Sequence, residues 1–145
     1  MKIRDWMACA ALLGLSLGAC DWFEDPTPES VRVTIDGTPG DSLRVITSTV
    51  FIAANDELGG TTVNALAADT AVWFLPVDRM FDIRGDQRFL ILALPGDSLA
   101  AVPIQANIRI DARTPFVANF DVTQPNPLLF LFLFNQEILS DFELV

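Results

Sequence analysis

Histidine and tyrosine are absent from this 145-residue chain; lysine occurs once, at Lys2, and cysteine twice, at Cys9 and Cys20. Each scarcity removes a chemistry. Without histidine, a serine or cysteine nucleophile lacks its usual proton acceptor. Zinc and copper lose their commonest ligand for the same reason. Two cysteines cannot make a disulfide framework. Basic residues are few as well, nine against nineteen acidic ones, for a net charge of −10. Such a chain repels phosphate backbones, which argues against a nucleic-acid partner. It also lacks the basic clusters that dock proteins on anionic lipid. No glycine-rich phosphate loop follows a strand-like segment.

What is present begins with a leader-like segment. Lys2 and Arg4 make a short basic start, diluted by Asp5, and the 14 residues from Trp6 to Ala19 carry no charge. A helix that spans ~30 Å of hydrocarbon needs about 20 residues, so the run is short for a transmembrane helix and suits the apolar region of a signal peptide. It ends in Leu17-Gly18-Ala19-Cys20. This order, a branched apolar residue, two small residues and a cysteine, resembles the lipobox of bacterial lipoproteins. The resemblance covers residues 1–20 only. It implies a diacylglycerol on the Cys20 thiol and cleavage just before Cys20, with Leu17, Gly18 and Ala19 as peptidase recognition residues. Residues 1–19 are then a signal peptide that carries Cys9 away. The remaining chain has seven arginines against eighteen acidic residues, a net charge of −11, and no thiol free for a disulfide. Membrane affinity would come from the acyl chains, two of which anchor stably.

Residues 20–29 read as the lipidated cysteine and an acidic, proline-containing tether, with Pro26 and Pro28 among acids. Trp22 and Phe23 are placed to meet headgroups or the domain. Asp21 resembles the inner-membrane retention signal of enteric lipoproteins, while acidic residues near the cysteine accompany surface display in other bacteria. The expected location is therefore the extracytoplasmic side of a bacterial envelope membrane, inner or outer undecided.

From Ser30 the pattern has period two. Val31, Val33 and Ile35 alternate with polar residues, and Leu43 to Ala54 is rich in Val, Ile, Thr and Phe. Thr61 to Ala68 reads as a weak strand and Ala71 to Val77 as a stronger one, with Pro76 marking an edge or a bend. Phe81 and Ile83, Arg88 to Leu94, Val102 to Ala112, Phe116 to Val122 and Leu128 to Phe134 follow, separated by Pro- and Gly-containing turns. Glu137 to Val145 closes the sequence as a strand or a short helix. Eight or nine short strands with no sustained helical period predict an all-β domain over 30–145, an antiparallel sandwich immunoglobulin-like in general architecture.

Three motifs bear on function. Pro39-Gly40-Asp41-Ser42-Leu43 recurs as Pro95-Gly96-Asp97-Ser98-Leu99, and each copy holds Gly-Asp-Ser-Leu, which resembles the signature of an esterase family with a serine nucleophile. That family's histidine base has no counterpart here, so both copies read as turns. Calcium is not excluded by residue type, and Asp78, Asp82 and Asp86 are the best candidate ligands, but Arg79, Arg84 and Arg88 interleave with them. No metal or cofactor is expected. Lastly, Leu128 to Phe134 is wholly apolar. As a strand it puts Phe130, Phe132 and Phe134 on one face and Leu129, Leu131 and Leu133 on the other, so one face needs cover beyond a two-sheet core or offers a surface to a protein partner. The expected function is that of a non-catalytic envelope lipoprotein with a structural or accessory role. The alternative is an extracytoplasmic module that presents a loop end to a sugar, peptide or protein.

Overall fold

A computed structural model describes residues 26–55 and 61–134. They form eight strands: β1 (Ser30–Gly37), β2 (Ser42–Asn55), β3 (Thr61–Phe74), β4 (Val77–Asp82), β5 (Arg88–Pro95), β6 (Val102–Ile110), β7 (Phe116–Val122) and β8 (Leu128–Leu133). Two antiparallel four-stranded sheets, β4-β1-β6-β7 and β3-β2-β5-β8, pack face to face as a β-sandwich. The architecture is the one the alternation predicts, but the pairing is the chain's own. Here β1 pairs with β4 and β6, whereas the first strand of an immunoglobulin constant domain pairs with the second.

The inner faces follow the period-two pattern. Val31, Val33 and Ile35 of β1 and Ile104, Ala106, Ile108 and Ile110 of β6 meet Leu43 and Val45 of β2 and Phe89, Ile91 and Ala93 of β5, all buried. Burial of that apolar area drives the fold. Aromatic side chains close each open side between the sheets. On one side Trp73 stacks on Phe81 at 6.1 Å, Phe81 meets Phe89 at 5.0 Å, and the Arg79 guanidinium covers Trp73 at 5.0 Å. On the other, Phe116 meets Phe130 at 5.3 Å, and Arg113 lies 5.5 Å from Phe132 and 5.1 Å from Phe134.

Two expected strands are one. The expected segment 61–68 and the first part of 71–77, as far as Phe74, merge into β3, because β2 offers a partner along its whole length, with register shifts between Thr47 and Phe51; Val77 already belongs to β4. Buried Ser48 satisfies that irregularity: its one hydroxyl proton lies between Val50 O (3.0 Å) and Ala67 O, and its oxygen accepts from Val50 N. The chain bends at the cis Leu75–Pro76 bond after this edge strand, as Pro76 suggests.

Residues 26–29, the end of the expected tether, are docked. Arg113 donates to Pro26 O (2.8 Å), Pro28 is buried, and Ile83 N donates to Glu29 O (2.9 Å). The Asp111 carboxylate accepts from Glu29 N, Ser30 N and Ser30 Oγ, each at 2.9 Å. The tether read from sequence as running to Glu29 is therefore attached to the sandwich from Pro26. Residues 1–25, with the lipobox, Trp22 and Phe23, lie outside the described residues, as does the expected closing segment 137–145.

Candidate functional site

The outer faces of the two sheets differ in character. On β3-β2-β5-β8 the residues that face away from the core include Ile46, Leu92, Leu94, Leu129, Leu131 and Leu133, with the buried Leu90 opposite Leu131 and Leu92 opposite Leu129. On β4-β1-β6-β7 they are Arg32, Thr34 and Asp36 of β1 beside Arg109, Asn107 and Gln105 of β6. The second face holds a shallow depression of about 480 Å³, floored by these six and flanked by Met80 of β4 and Val117 of β7.

The polar groups of this floor are unequally engaged. Arg32 forms a two-pronged pair with Asp78: Nε donates to Oδ1 at 2.9 Å and Nη2 to Oδ2. The hydrogen bond to Arg32, against a smaller effect of burial, holds the Asp78 carboxyl below its usual range. The side chains of Arg109, Asn107, Gln105 and Asp36 have no hydrogen bond or ion pair among the described residues. Arg32 and Arg109 sit directly opposite each other on adjacent strands, where like charges destabilise. Alternation in Val102–Ile110 already puts Gln105, Asn107 and Arg109 on the solvent side. What sequence reasoning misses is the β1–β6 pairing that lays them beside Arg32 and Asp36.

The sequence-derived candidates fall in separate places. Asp78 serves Arg32; Asp82 pairs with Arg84; Asp86 accepts from Thr49 Oγ1 at 2.6 Å. The Arg84 side chain is the main cause of the Asp82 pKa of about 2. The three aspartates are thus not gathered, and no group of three His, Cys, Asp or Glu placed to hold a metal occurs among the described residues. The two Pro-Gly-Asp-Ser-Leu copies lie side by side, with Gly96 N donating to Ser42 O at 2.8 Å, but they are not equivalent. Leu43 is fully buried while Leu99 is 94% exposed, and only Gly40 has positive φ, at 98°. The copies share turn chemistry and not a duplicated half. In β8 the two faces separate: Phe130 and Phe132 pack on the core, while Leu129 points outward at 44% exposure.

Comparisons with known protein families, with curated proteins and with solved structures return no match.

Proposed function

We propose that this chain is a lipid-anchored protein of the bacterial cell envelope whose non-catalytic β-sandwich has a structural or accessory role. The observation that carries the reading is the basic, apolar, Leu17-Gly18-Ala19-Cys20 order, followed so closely by a docked domain. Only residues 21–25 separate the cysteine from Pro26, whose carbonyl Arg113 holds. Five extended residues reach at most ~18 Å. A domain so tethered works at the membrane surface on its extracytoplasmic side. The absence of histidine, and of lysine after Lys2, supports a role without catalysis by a serine or cysteine nucleophile paired with a His or Lys base. The test is Cys20→Ser: acyl labelling should vanish and the uncut precursor should accumulate. A substituted protein that is still labelled and cleaved would overturn the reading.

A second reading, a binding module for a sugar, peptide or protein, is favoured by the unengaged polar floor around Arg109. It differs from the sequence expectation in using a sheet face and not a loop end. It is compatible with the first reading, since an accessory lipoprotein acts by holding something else.

A further inference from the structure

We propose that the open face of the β4-β1-β6-β7 sheet binds an extended peptide segment of a partner protein that carries an acidic and a basic side chain four residues apart. This rests on the binding-module reading above. Arg109 is the acidic residue's receptor. Its neighbour Arg32 is already occupied by Asp78, so one guanidinium of the opposed pair lacks an anion. An arginine fork fits a carboxylate through two parallel hydrogen bonds.

Asn107 and Gln105 continue the row at alternate positions of β6. Alternate residues of a strand lie ~6.8 Å apart, which is also the two-residue repeat of any extended peptide. Each side-chain amide has a donor and an acceptor, as a peptide group does, so both can bond successive backbone units of a chain laid along β6. Asp36 stands opposite Gln105 at the far end of the row and has no partner among the described residues. From Gln105 to Arg109 is roughly 13 Å along the strand. Charges at positions i and i+4 of an extended peptide share one face and match that span. Met80, 68% exposed, and Val117, 57% exposed, offer the aliphatic flanks. No aromatic residue lines the depression, so a sugar ring has no platform to stack on.

The test uses the full chain in detergent micelles and a labelled five-residue peptide, glutamate first, lysine fifth, serine and threonine between, together with its reversed sequence. Fluorescence anisotropy should show saturable binding of one of the two. Arg109→Gln and Asp36→Asn should each raise its Kd at least tenfold, and Arg44→Gln, on the other sheet, should leave it unchanged. In the double variant Arg109→Glu/Asp36→Lys the preference between the two peptides should invert. A thermal unfolding midpoint no lower than that of the native chain in each variant confirms that binding and not loss of fold is read, since removing Arg109 relieves its repulsion with Arg32. Binding that ignores Arg109, or saturable Arg109-dependent binding of an acidic oligosaccharide in place of the peptides, overturns the proposal. If neither peptide binds, it also falls, and a photo-crosslinker placed at position 107 in intact cells then separates the two readings. A single discrete adduct keeps the binding module and discards the peptide class, whereas no adduct discards both.

Discussion

Replacing Asp111 should loosen the whole start of the sandwich, because one carboxylate holds three donors on a segment more than eighty residues earlier in the chain. Its oxygens accept from Glu29 N, Ser30 N and Ser30 Oγ at 2.9 Å each, and its backbone is left-handed, φ 45°. Hydrogen bonds to a charged acceptor contribute about 1.5–3 kcal/mol when buried. This carboxylate is exposed, so roughly 0.5 kcal/mol each is the appropriate scale, about 1.5 kcal/mol together. A left-handed backbone adds ~1 kcal/mol against alanine but not against glycine, and asparagine tolerates it. The expected order of destabilisation is Asp111→Asn least, Asp111→Gly next, and Asp111→Ala most, at about 2.5 kcal/mol. For a chain of this size that is a Tm lower by roughly 8–12 °C. Thermal unfolding of the full chain, followed by circular dichroism, measures it. If Asp111→Ala were as stable as Asp111→Asn, both the clamp and the backbone argument would be refuted. The pH dependence has a definite sign. Burial pushes this carboxyl up, but the bonds from Glu29 N, Ser30 Oγ and Ser30 N, with Arg113 nearby, outweigh it and leave the pKa lowered. A lowered carboxylate stabilises fully above the unfolded pKa of ~3.9, and the benefit fades as pH falls through the lower folded value. The stability gap between the native protein and Asp111→Asn should therefore narrow below about pH 4.

Other parts of the fold give sharp expectations. Phe132→Lys puts a charge on the core side of β8, next to Arg113, and should cost about 3 kcal/mol or more, whereas Leu131→Lys on the outer face should cost about 1 kcal/mol; urea unfolding ranks them, and the reverse order would mean that the faces of β8 are assigned wrongly. A Cβ at Gly96 would overlap Ser42 Oγ and sit 3.0 Å from Ser42 O. Gly96→Ala should thus lower Tm, and adding Ser42→Gly should restore part of the loss; equal Tm values for the single and double variants would contradict the contact. Asp82 should titrate with a midpoint of about 2 through its pair with Arg84, and in Arg84→Gln the midpoint should return toward 3.8. Carboxyl NMR reads both, and a native midpoint near 4 would dissolve the pair.

Strand content was legible in the sequence because each buried face repeats every two residues, as in Val31-x-Val33-x-Ile35 and Ile104-x-Ala106-x-Ile108-x-Ile110. Period two says which side a residue faces but not which strand lies beside it. Nothing local in Arg32 or Arg109 announces that they are neighbours; the β1–β6 ladder makes them so. The merging of 61–68 and 71–77 escaped for a related reason. Alanine and aspartate around Ala65–Thr70 weaken strand propensity, and pairing with β2 overrides it. The split of the β8 faces was readable from alternation alone, but which face meets the core depended on the phase set by pairing with β5. Alternation makes Asp111 one more outward polar position of the expected strand 102–112, and nothing local announces partners more than eighty residues earlier in the chain.

The docking of the tether onto β1 also has a mechanical meaning. If the chain is anchored through Cys20, as proposed, tension between the membrane and a bound partner passes through residues 26–29 into the first residue of β1. That strand is not at an edge, where bonds would peel one after another like a zip. It runs in the middle of its sheet, bonded to β4 on one side and β6 on the other. Tension along its axis is therefore resisted in shear, with both ladders loaded at once, after the Arg113 bond to Pro26 O and then the Asp111 bonds to Glu29 and Ser30 have taken the pull.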